Sequence, residues 1–418
     1  MYLQSQKIAA RSSIRDGVRV PLFAVIFSYL LSGQALASRD PIGRSLDWHI
    51  YVQLTLFLIS LCTMAILWAR NGRIPRPSPY FWLFVAFGLL ALLSSVRSFW
   101  PALSMVKGCL FLLVLLLGEL LCNTFSPASA LRAMYYGIIV LFVVAILMGL
   151  AMPTIYPLIV HDAAGRQRLA LFTDEFGDFA YLSGMGFFIG RLSAVRARWY
   201  SQAFLAILTV ASGSRACTFA LIFIFIAIRL RRVRDFRLIV AVYATGAAVV
   251  LIAIVFLNSS SAFASSIHNR LQAFYGTTAL QQSPWKLSGR AELWDAAAGI
   301  FRQSIFLGFG FAGARDQLLR IFPWAGGAHN AFLELLLTAG GAGLLVFLAG
   351  LILVIRTSFR STAGRTALPI YCFLLLVATT GHSFTMFKDF GVLLIICIQH
   401  WNYRLAIQQR GTAATRCA

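Results

Sequence analysis

The sequence predicts an all-α protein that crosses a membrane about 12 times and carries a helical cap loop on one side. Apolar and aromatic residues make up 59% of the 418 residues, and charged residues make up 12%, against roughly 25% in an ordinary soluble domain. Several apolar runs approach the roughly 20 residues that a helix needs to cross a bilayer. This composition excludes a soluble enzyme and a nucleic-acid-binding domain.

The predicted spans follow one another along the chain as apolar windows. The polar segment SGSRA at 212–216 interrupts the apolar stretch 199–230, so we predict a broken helix there rather than one long helix. The predicted spans are 20–38, 49–69, 80–97, 103–122, 133–152, 176–193, 199–211, 216–230, 238–257, 328–355, 366–382 and 389–404.

Basic residues in the short loops predict the orientation of the spans. The chain has 36 Lys and Arg residues against 14 Asp and Glu residues, a formal net charge of +22. An even number of spans places both termini on one side, and short cytoplasmic loops are enriched in Lys and Arg. We therefore predict that both termini are cytoplasmic. The basic residues on that side are Lys7, Arg11, Arg15, Arg19, Arg70, Arg73, Arg76, Arg229, Arg231, Arg232, Arg234, Arg237, Arg356, Arg360, Arg365, Arg404, Arg410 and Arg416.

Two long loops, 153–175 and 258–327, are predicted on the outer face of the membrane. The second loop carries more basic than acidic residues, which runs against the usual charge bias and predicts an anionic partner. No internal repeat is visible, so we predict a single membrane domain with a cap on the outer face. Its predicted parts are an N-terminal membrane region 1–198, a core 199–355 that includes the loop 258–327, and a C-terminal membrane region with a cytoplasmic tail, 356–418.

Two motifs lie in the second loop. Segment 288–306 places apolar residues three and four positions apart and predicts an amphipathic helix that lies on the membrane surface or caps the bundle. FLGFGFAG at 306–313 contains a GxGxxG pattern, but it lacks the strand and the acidic residue of a dinucleotide site. We predict a glycine-rich turn that approaches a neighbouring helix or a ligand. The apolar face of the helix would be Leu293, Trp294, Ala297, Ile300, Phe301 and Ile305.

A candidate anion site combines two predicted helix N-termini. Asn330 is a plausible N-cap of one span, which places His329 at the positive end of that helix, and Arg215 begins the second half of the broken helix on the same side. Together with Arg290, these residues could hold a phosphate or pyrophosphate. Taken singly, His329 also fits an interfacial histidine and Arg290 a snorkelling arginine. The predicted supporting residues are Arg315, Arg320, His161, Arg166 and Asn330.

The motifs SGSRA, GRAELW, FLGFGFAG and AHNAFLELLLTAGGAGL follow one another within about 200–350. In order and spacing they resemble the shared domain of bacterial O-antigen ligases and O-antigen or exopolysaccharide polymerases. The resemblance implies a GT-C-like inner-membrane glycosyltransferase that passes a glycan from an undecaprenyl-diphosphate carrier to an acceptor hydroxyl on the periplasmic face. The family's functional Arg and His residues would correspond here to Arg215, Arg290 and His329.

This chemistry needs positive charge on the departing diphosphate, which Arg215 and Arg290 could supply without a metal or cofactor. His329 could accept the acceptor's proton or bind the diphosphate. We expect an O-antigen ligase with lipid A-core as acceptor; a polymerase with a growing glycan as acceptor remains open. A flippase or transporter of lipid-linked sugars is the alternative from another class, but it would carry charges along the midplane. Membrane lipid is an expected partner and nucleic acid is not.

Overall fold

The computed structural model describes most of the membrane domain as helices joined by short connectors. The described residues are 19–33, 48–71, 79–154, 156–161, 167–169, 176–192, 195–229, 290–311, 313–322, 327–359, 362–379 and 391–403. Their helices are α1 (Arg19–Gly33), α2 (Trp48–Asn71), α3 (Pro79–Ser94), α4 (Pro101–Thr124), α5 (Pro127–Ala151), α6 (Phe176–Gly190), α7 (Trp199–Ala211), α8 (Arg215–Arg229), α9 (Arg290–Arg302), α10 (Arg315–Ile321), α11 (Ala331–Phe359), α12 (Thr362–Ala378) and α13 (391–403).

Apolar helices confirm a membrane protein. Among the described residues, 4 helices are long and apolar enough to cross a bilayer: Tyr80–Arg97, Pro101–Thr124, Pro127–Ala151 and Ala331–Phe359. Shorter apolar helices accompany them. Each predicted span overlaps a described helix except 238–257, which lies outside the described residues. The total number of spans stays a prediction.

Some helix bounds differ from the predicted spans. Helix α5 begins at Pro127 rather than 133, because Pro127 occupies the first turn and the hydroxyl of Ser126 accepts the Ser129 amide at 3.1 Å. An apolar window does not register such a polar cap. The predicted loop 153–175 also contains an antiparallel pair of short strands, β1 (Ile159–His161) and β2 (Gln167–Leu169), which the all-α prediction missed.

Helices α3, α11 and α12 are arranged antiparallel to one another. Phe87 packs near Gly343, whereas Phe84 packs near Gly350, so the last turn of α3 lies beside the first half of α11. Helix α12 then returns along α11. The Asn330 side-chain amide donates to the Thr379 carbonyl at 3.1 Å, which places the end of α12 at the start of α11.

Helices α5, α6 and α7 alternate in the same way. The rings of Phe142 and Phe179 lie 5.0 Å apart, which joins the second half of α5 to the first turn of α6. The hydroxyls of Ser183 and Thr209 are 2.8 Å apart, which joins α6 to the last turn of α7. The start of α8 therefore lies at the same end as the start of α6.

The helix ends thus form two opposite ends of one bundle. We call the end at which α11 begins the upper end, and the end at which α11 finishes the lower end. The connector between α3 and α4 lies at the upper end, where the hydroxyls of Ser95 and Ser104 are 2.9 Å apart. The upper end holds Ser95, Ser212 and Asn330, and the lower end holds Thr124, Arg191 and Phe359.

Helix α11 is broken near the upper end, and the glycine-rich segment fills the break. Gly340 has φ of +66°, and the Phe309 and Gly341 amides donate to the carbonyls of Leu337 and Ile305, both at 2.7 Å. Gly308 has φ of +69°, and a Cβ there would lie 2.6 Å from the Gly340 nitrogen. A side chain at Gly308 would be excluded. The predicted glycine-rich turn is confirmed, and its backbone approaches helix α11.

Candidate functional site

The break between α7 and α8 presents Arg215 at the upper end. The Ser212 hydroxyl donates to the Thr209 carbonyl at 2.6 Å and accepts the Ser214 amide at 3.1 Å, so the chain turns sharply. Gly213, with φ of +70°, completes this turn. The predicted break at SGSRA is confirmed. Arg215 is the first residue of α8, and its side chain is exposed.

Asn330 caps the start of α11 as predicted. Its side-chain oxygen accepts the amides of Phe332 at 3.0 Å and Leu333 at 3.2 Å, which satisfies two of the amides that a helix N-terminus leaves without intrahelical partners. The side-chain nitrogen of Asn330 bonds Thr379 at the end of α12. One side chain therefore fixes the start of α11 and ties it to its neighbour.

His329 precedes this cap in a left-handed backbone conformation. Its φ is +47°, a conformation that costs a non-glycine residue about 1–3 kcal/mol. The side chain is half-buried. Such a conformation persists where the surrounding contacts hold it, and the hydrogen bonds of the residues on either side of His329 are contacts of this kind.

Ala328, the residue before His329, is bonded through both of its backbone polar groups. The Trp294 indole N–H donates to the Ala328 carbonyl at 2.9 Å, and the Glu334 carboxylate accepts the Ala328 amide. Ala328 itself is fully buried. Helical spacing predicts Trp294 on an apolar face but does not predict this hydrogen bond. The available signal is the indole N–H itself, because a buried tryptophan usually has a hydrogen-bond acceptor.

Helix α9 packs onto α11 and α10 through the predicted apolar face. Leu293, Ala297 and Ile300 are buried in a small core of their own, separate from the main core of the bundle. This packing favours a helix that caps the bundle. The prediction fails for Ile305, which is 48% exposed, because α9 ends at Arg302 and Ile305 lies in the turn that enters the break in α11. The side of the membrane on which α9 lies stays a prediction.

For the other predicted site residues, the structure describes the side chains of Arg315 and Arg320 but not those of His161, Arg166 and Arg290. Arg315 begins α10 and is half-buried, and the exposed Arg320 guanidinium lies 4.7 Å from the centre of the Phe99 ring. His161 ends β1, and Arg290 is the first residue of α9. Arg166 and the side chains of His161 and Arg290 lie outside the described residues.

The backbone positions of Arg215, Arg290 and His329 all lie at the upper end. Helix α8 packs on α12, α12 packs on α11, and α9 is bonded through Trp294 to the residue before His329. Two of the three residues begin a helix, and the third directly precedes an N-cap. Helix N-termini carry partial positive charge and bind anions. That the three residues form one anion site stays a prediction.

Within the part of the chain that the structure describes, no three His, Cys, Asp or Glu side chains meet in a group that could hold a metal ion. The six described cysteines are Cys62, Cys109, Cys122, Cys217, Cys372 and Cys397, all free thiols. The charged side chains described at the upper end are mainly arginines. This end therefore offers ligands for an anion.

Comparison with known families assigns a domain to the same part of the chain. Residues 200–348 match a family model described as O-antigen ligase. The match confirms the resemblance that the four motifs predict, and its range includes Arg215, Arg290 and His329. No curated protein matches the chain.

Proposed function

We propose, from the premise that the chain carries a domain of the O-antigen ligase and polymerase family, that it is an O-antigen ligase. It would move a finished glycan from an undecaprenyl-diphosphate carrier to a hydroxyl of lipid A-core. The reaction would take place at the upper end, on the periplasmic face of the inner membrane. The observation that carries the proposal is that Arg215, Arg290 and His329, which lie in the matched domain, share this end of the bundle.

The reaction sets clear demands on these residues. An acceptor oxygen attacks the anomeric carbon, the bond from that carbon to the diphosphate oxygen breaks, and the lipid diphosphate leaves with added negative charge. Arg215 and Arg290 would bind the diphosphate and stabilise that charge, because charge-assisted bonds from arginine to phosphate are strong and bidentate. No metal or cofactor is required in this scheme.

His329 would act on the acceptor. At the start of α11 it could take the proton that the acceptor hydroxyl loses, as a general base. It could also add a hydrogen bond to the diphosphate. Arg315 and Arg320, and His161 and Arg166 from the loop at the end of α5, are the proposed supporting residues.

The proposed topology places the upper end in the periplasm and both termini in the cytoplasm. Basic side chains at the lower end, including Arg70, Arg191 and Arg356, support this orientation. A cysteine in place of the exposed Gln303 should react with an impermeant thiol reagent in cells with a permeabilised outer membrane. A cysteine in place of the exposed Trp199, at the lower end, should resist it. The opposite labelling pattern would invert the topology.

A deletion strain tests the proposed activity. Without a ligase, full-length glycan should build up on the undecaprenyl carrier while lipopolysaccharide stays bare. Single repeat units on the carrier or on lipopolysaccharide would instead identify a polymerase of the same family. Repeat units trapped on the cytoplasmic leaflet would identify a flippase and would contradict both enzymatic assignments.

A further inference from the structure

We propose that Trp294 and Glu334 are positioning residues that fix the backbone before His329 and so aim its imidazole at the reacting groups. The inference rests on the proposed function, because that function gives His329 its chemical role. Neither residue needs to touch substrate. Both bind the peptide groups of Ala328, and they do so from different helices, α9 and α11.

The Trp294 bond acts on the peptide that leads directly into His329. The Ala328 carbonyl, which accepts the indole N–H at 2.9 Å, belongs to the peptide group that ends in the His329 nitrogen. Rotation about the next bond is φ of His329, which is +47°. Holding this carbonyl therefore limits how far the peptide plane can turn away from the left-handed conformation.

The Glu334 bond acts from the opposite side. Its carboxylate, one turn into α11, accepts the amide of Ala328, and the amide of Glu334 donates to the Asn330 carbonyl at 2.9 Å. The start of α11 thus folds back on the residue before His329. His329 therefore lies between Ala328, whose two backbone polar groups are hydrogen-bonded, and Asn330, whose side chain caps α11.

The same two bonds link the helices that carry the proposed site. Trp294 lies one turn after Arg290 on α9, so its bond to Ala328 fixes the start of α9 against the start of α11. Releasing it would change the position of His329 relative to Arg290. A displacement of about 1 Å at a reacting group lowers the rate of transfer by roughly a hundredfold.

The test compares variants that keep or remove each hydrogen-bonding group. Trp294→Phe removes the indole N–H but keeps an aromatic ring. Glu334→Met removes the acceptor oxygen, whereas Glu334→Gln keeps an acceptor oxygen and removes the negative charge. Trp199→Phe, at an exposed tryptophan of the lower end, is the matched control.

We would measure kcat and donor KM with purified protein and a lipid-diphosphate glycan donor, normalised to folded protein. Trp294→Phe and Glu334→Met should lower kcat about tenfold to a hundredfold. The donor KM should change less than kcat, because both variants keep Arg215 and Arg290 and disturb mainly the aim of the His329 imidazole. Glu334→Gln should stay within about threefold of wild type, since the acceptor is retained. Trp199→Phe should match wild type.

The outcomes separate this inference from the proposed function. Transfer that survives His329→Ala would contradict the assigned role of His329, and with it the site. Transfer that is lost in His329→Ala but keeps its wild-type kcat in Trp294→Phe and Glu334→Met would overturn the positioning role alone. A Glu334→Gln variant as slow as Glu334→Met would show that the charge of Glu334 matters, and would also overturn it.

Discussion

Two clusters of polar side chains, one around His400 at the lower end and one around Trp294 at the upper end, make different kinds of hydrogen bonds. At the lower end, polar side chains bond to one another across helices: His400 lies 3.0 Å from Glu119, and the Gln399 amide donates to Ser358 at 2.9 Å and to Tyr371 at 3.0 Å. In the cluster at the upper end, the side chains of Trp294, Glu334 and Asn330 bond to backbone groups.

The first cluster joins helices to one another, whereas the second fixes the backbone on either side of His329. The bonds at the lower end join α4, α11, α12 and α13 through their side chains. At the upper end, bonds to the backbone hold a turn and a helix start in place, while Arg215 stays exposed and His329 half-buried. Buried polarity alone therefore does not mark the functional end of this protein.

The largest expected effect comes from removing the upper-end residues. Arg215→Ala, Arg290→Ala and His329→Ala should each lower glycan transfer tenfold to several hundredfold, roughly 1.5–3 kcal/mol or more, because each removes a group that meets developing charge. Accumulation in the membrane should be normal. Arg365→Ala, an exposed arginine of the lower end, is the control and should transfer at the wild-type rate. Retained activity in two of the three variants would dismiss the site.

The next effect should appear at the lower end and on stability alone. His400→Leu leaves the buried Glu119 carboxylate without its partner, which should lower the free energy of unfolding by about 3–5 kcal/mol. Thermal unfolding in detergent would measure it. The double variant with Glu119→Leu should recover much of this loss, because no charge is then buried. Glycan transfer per folded molecule should not change. A loss of transfer without a matching loss of folded protein would contradict a purely structural role for the lower-end pair.

A smaller effect is expected from filling the break in α11. Gly308→Ala should lower the free energy of unfolding by about 1–3 kcal/mol, since the residue has positive φ and its Cβ would meet the backbone of α11. Gly299→Ala is the control, because a Cβ there has nothing within 4 Å and alanine favours a helix. Equal unfolding temperatures for the two variants would show that the packing of residues 305–310 into the break in α11 contributes little to stability.

The smallest expected effect is that of a chelator. Transfer should continue in EDTA at the wild-type rate, because arginine rather than a metal ion would neutralise the departing diphosphate. The assay uses purified protein with a lipid-linked donor. Activity that disappears with EDTA and returns with Mg²⁺ or Mn²⁺ would contradict the proposed mechanism.

Local features of the structure could be predicted from the sequence. The turn at 212–214 follows from Ser and Gly placed inside an apolar stretch, and the Asn330 cap follows from an asparagine just before an apolar run. Both depend on bonds between residues close in sequence. The buried face of α9 follows from apolar residues three and four positions apart. This prediction is wrong for Ile305, because the helix ends before that residue.

Contacts between distant residues could not be predicted in this way. Glu119 and His400 are 281 residues apart, and Trp294 and Ala328 are 34 apart, so no local pattern pairs them. The break at Gly340 also depends on distant residues, because residues 305–310 bond to the backbone there. The apolar window 328–355 predicts one continuous span and gives no sign of the break. The positions of the predicted site residues could be read from helix starts, whereas the bonds that constrain His329 could not.

Binding of the leaving group tests the central claim most directly. Undecaprenyl diphosphate should inhibit the purified wild-type protein, and Arg215→Ala should weaken its binding about tenfold to a hundredfold, because one charge-assisted contact to the diphosphate is lost. Arg365→Ala, at the opposite end, should bind it as the wild type does. Unchanged binding in Arg215→Ala, or equal weakening in both variants, would contradict a diphosphate site at the upper end.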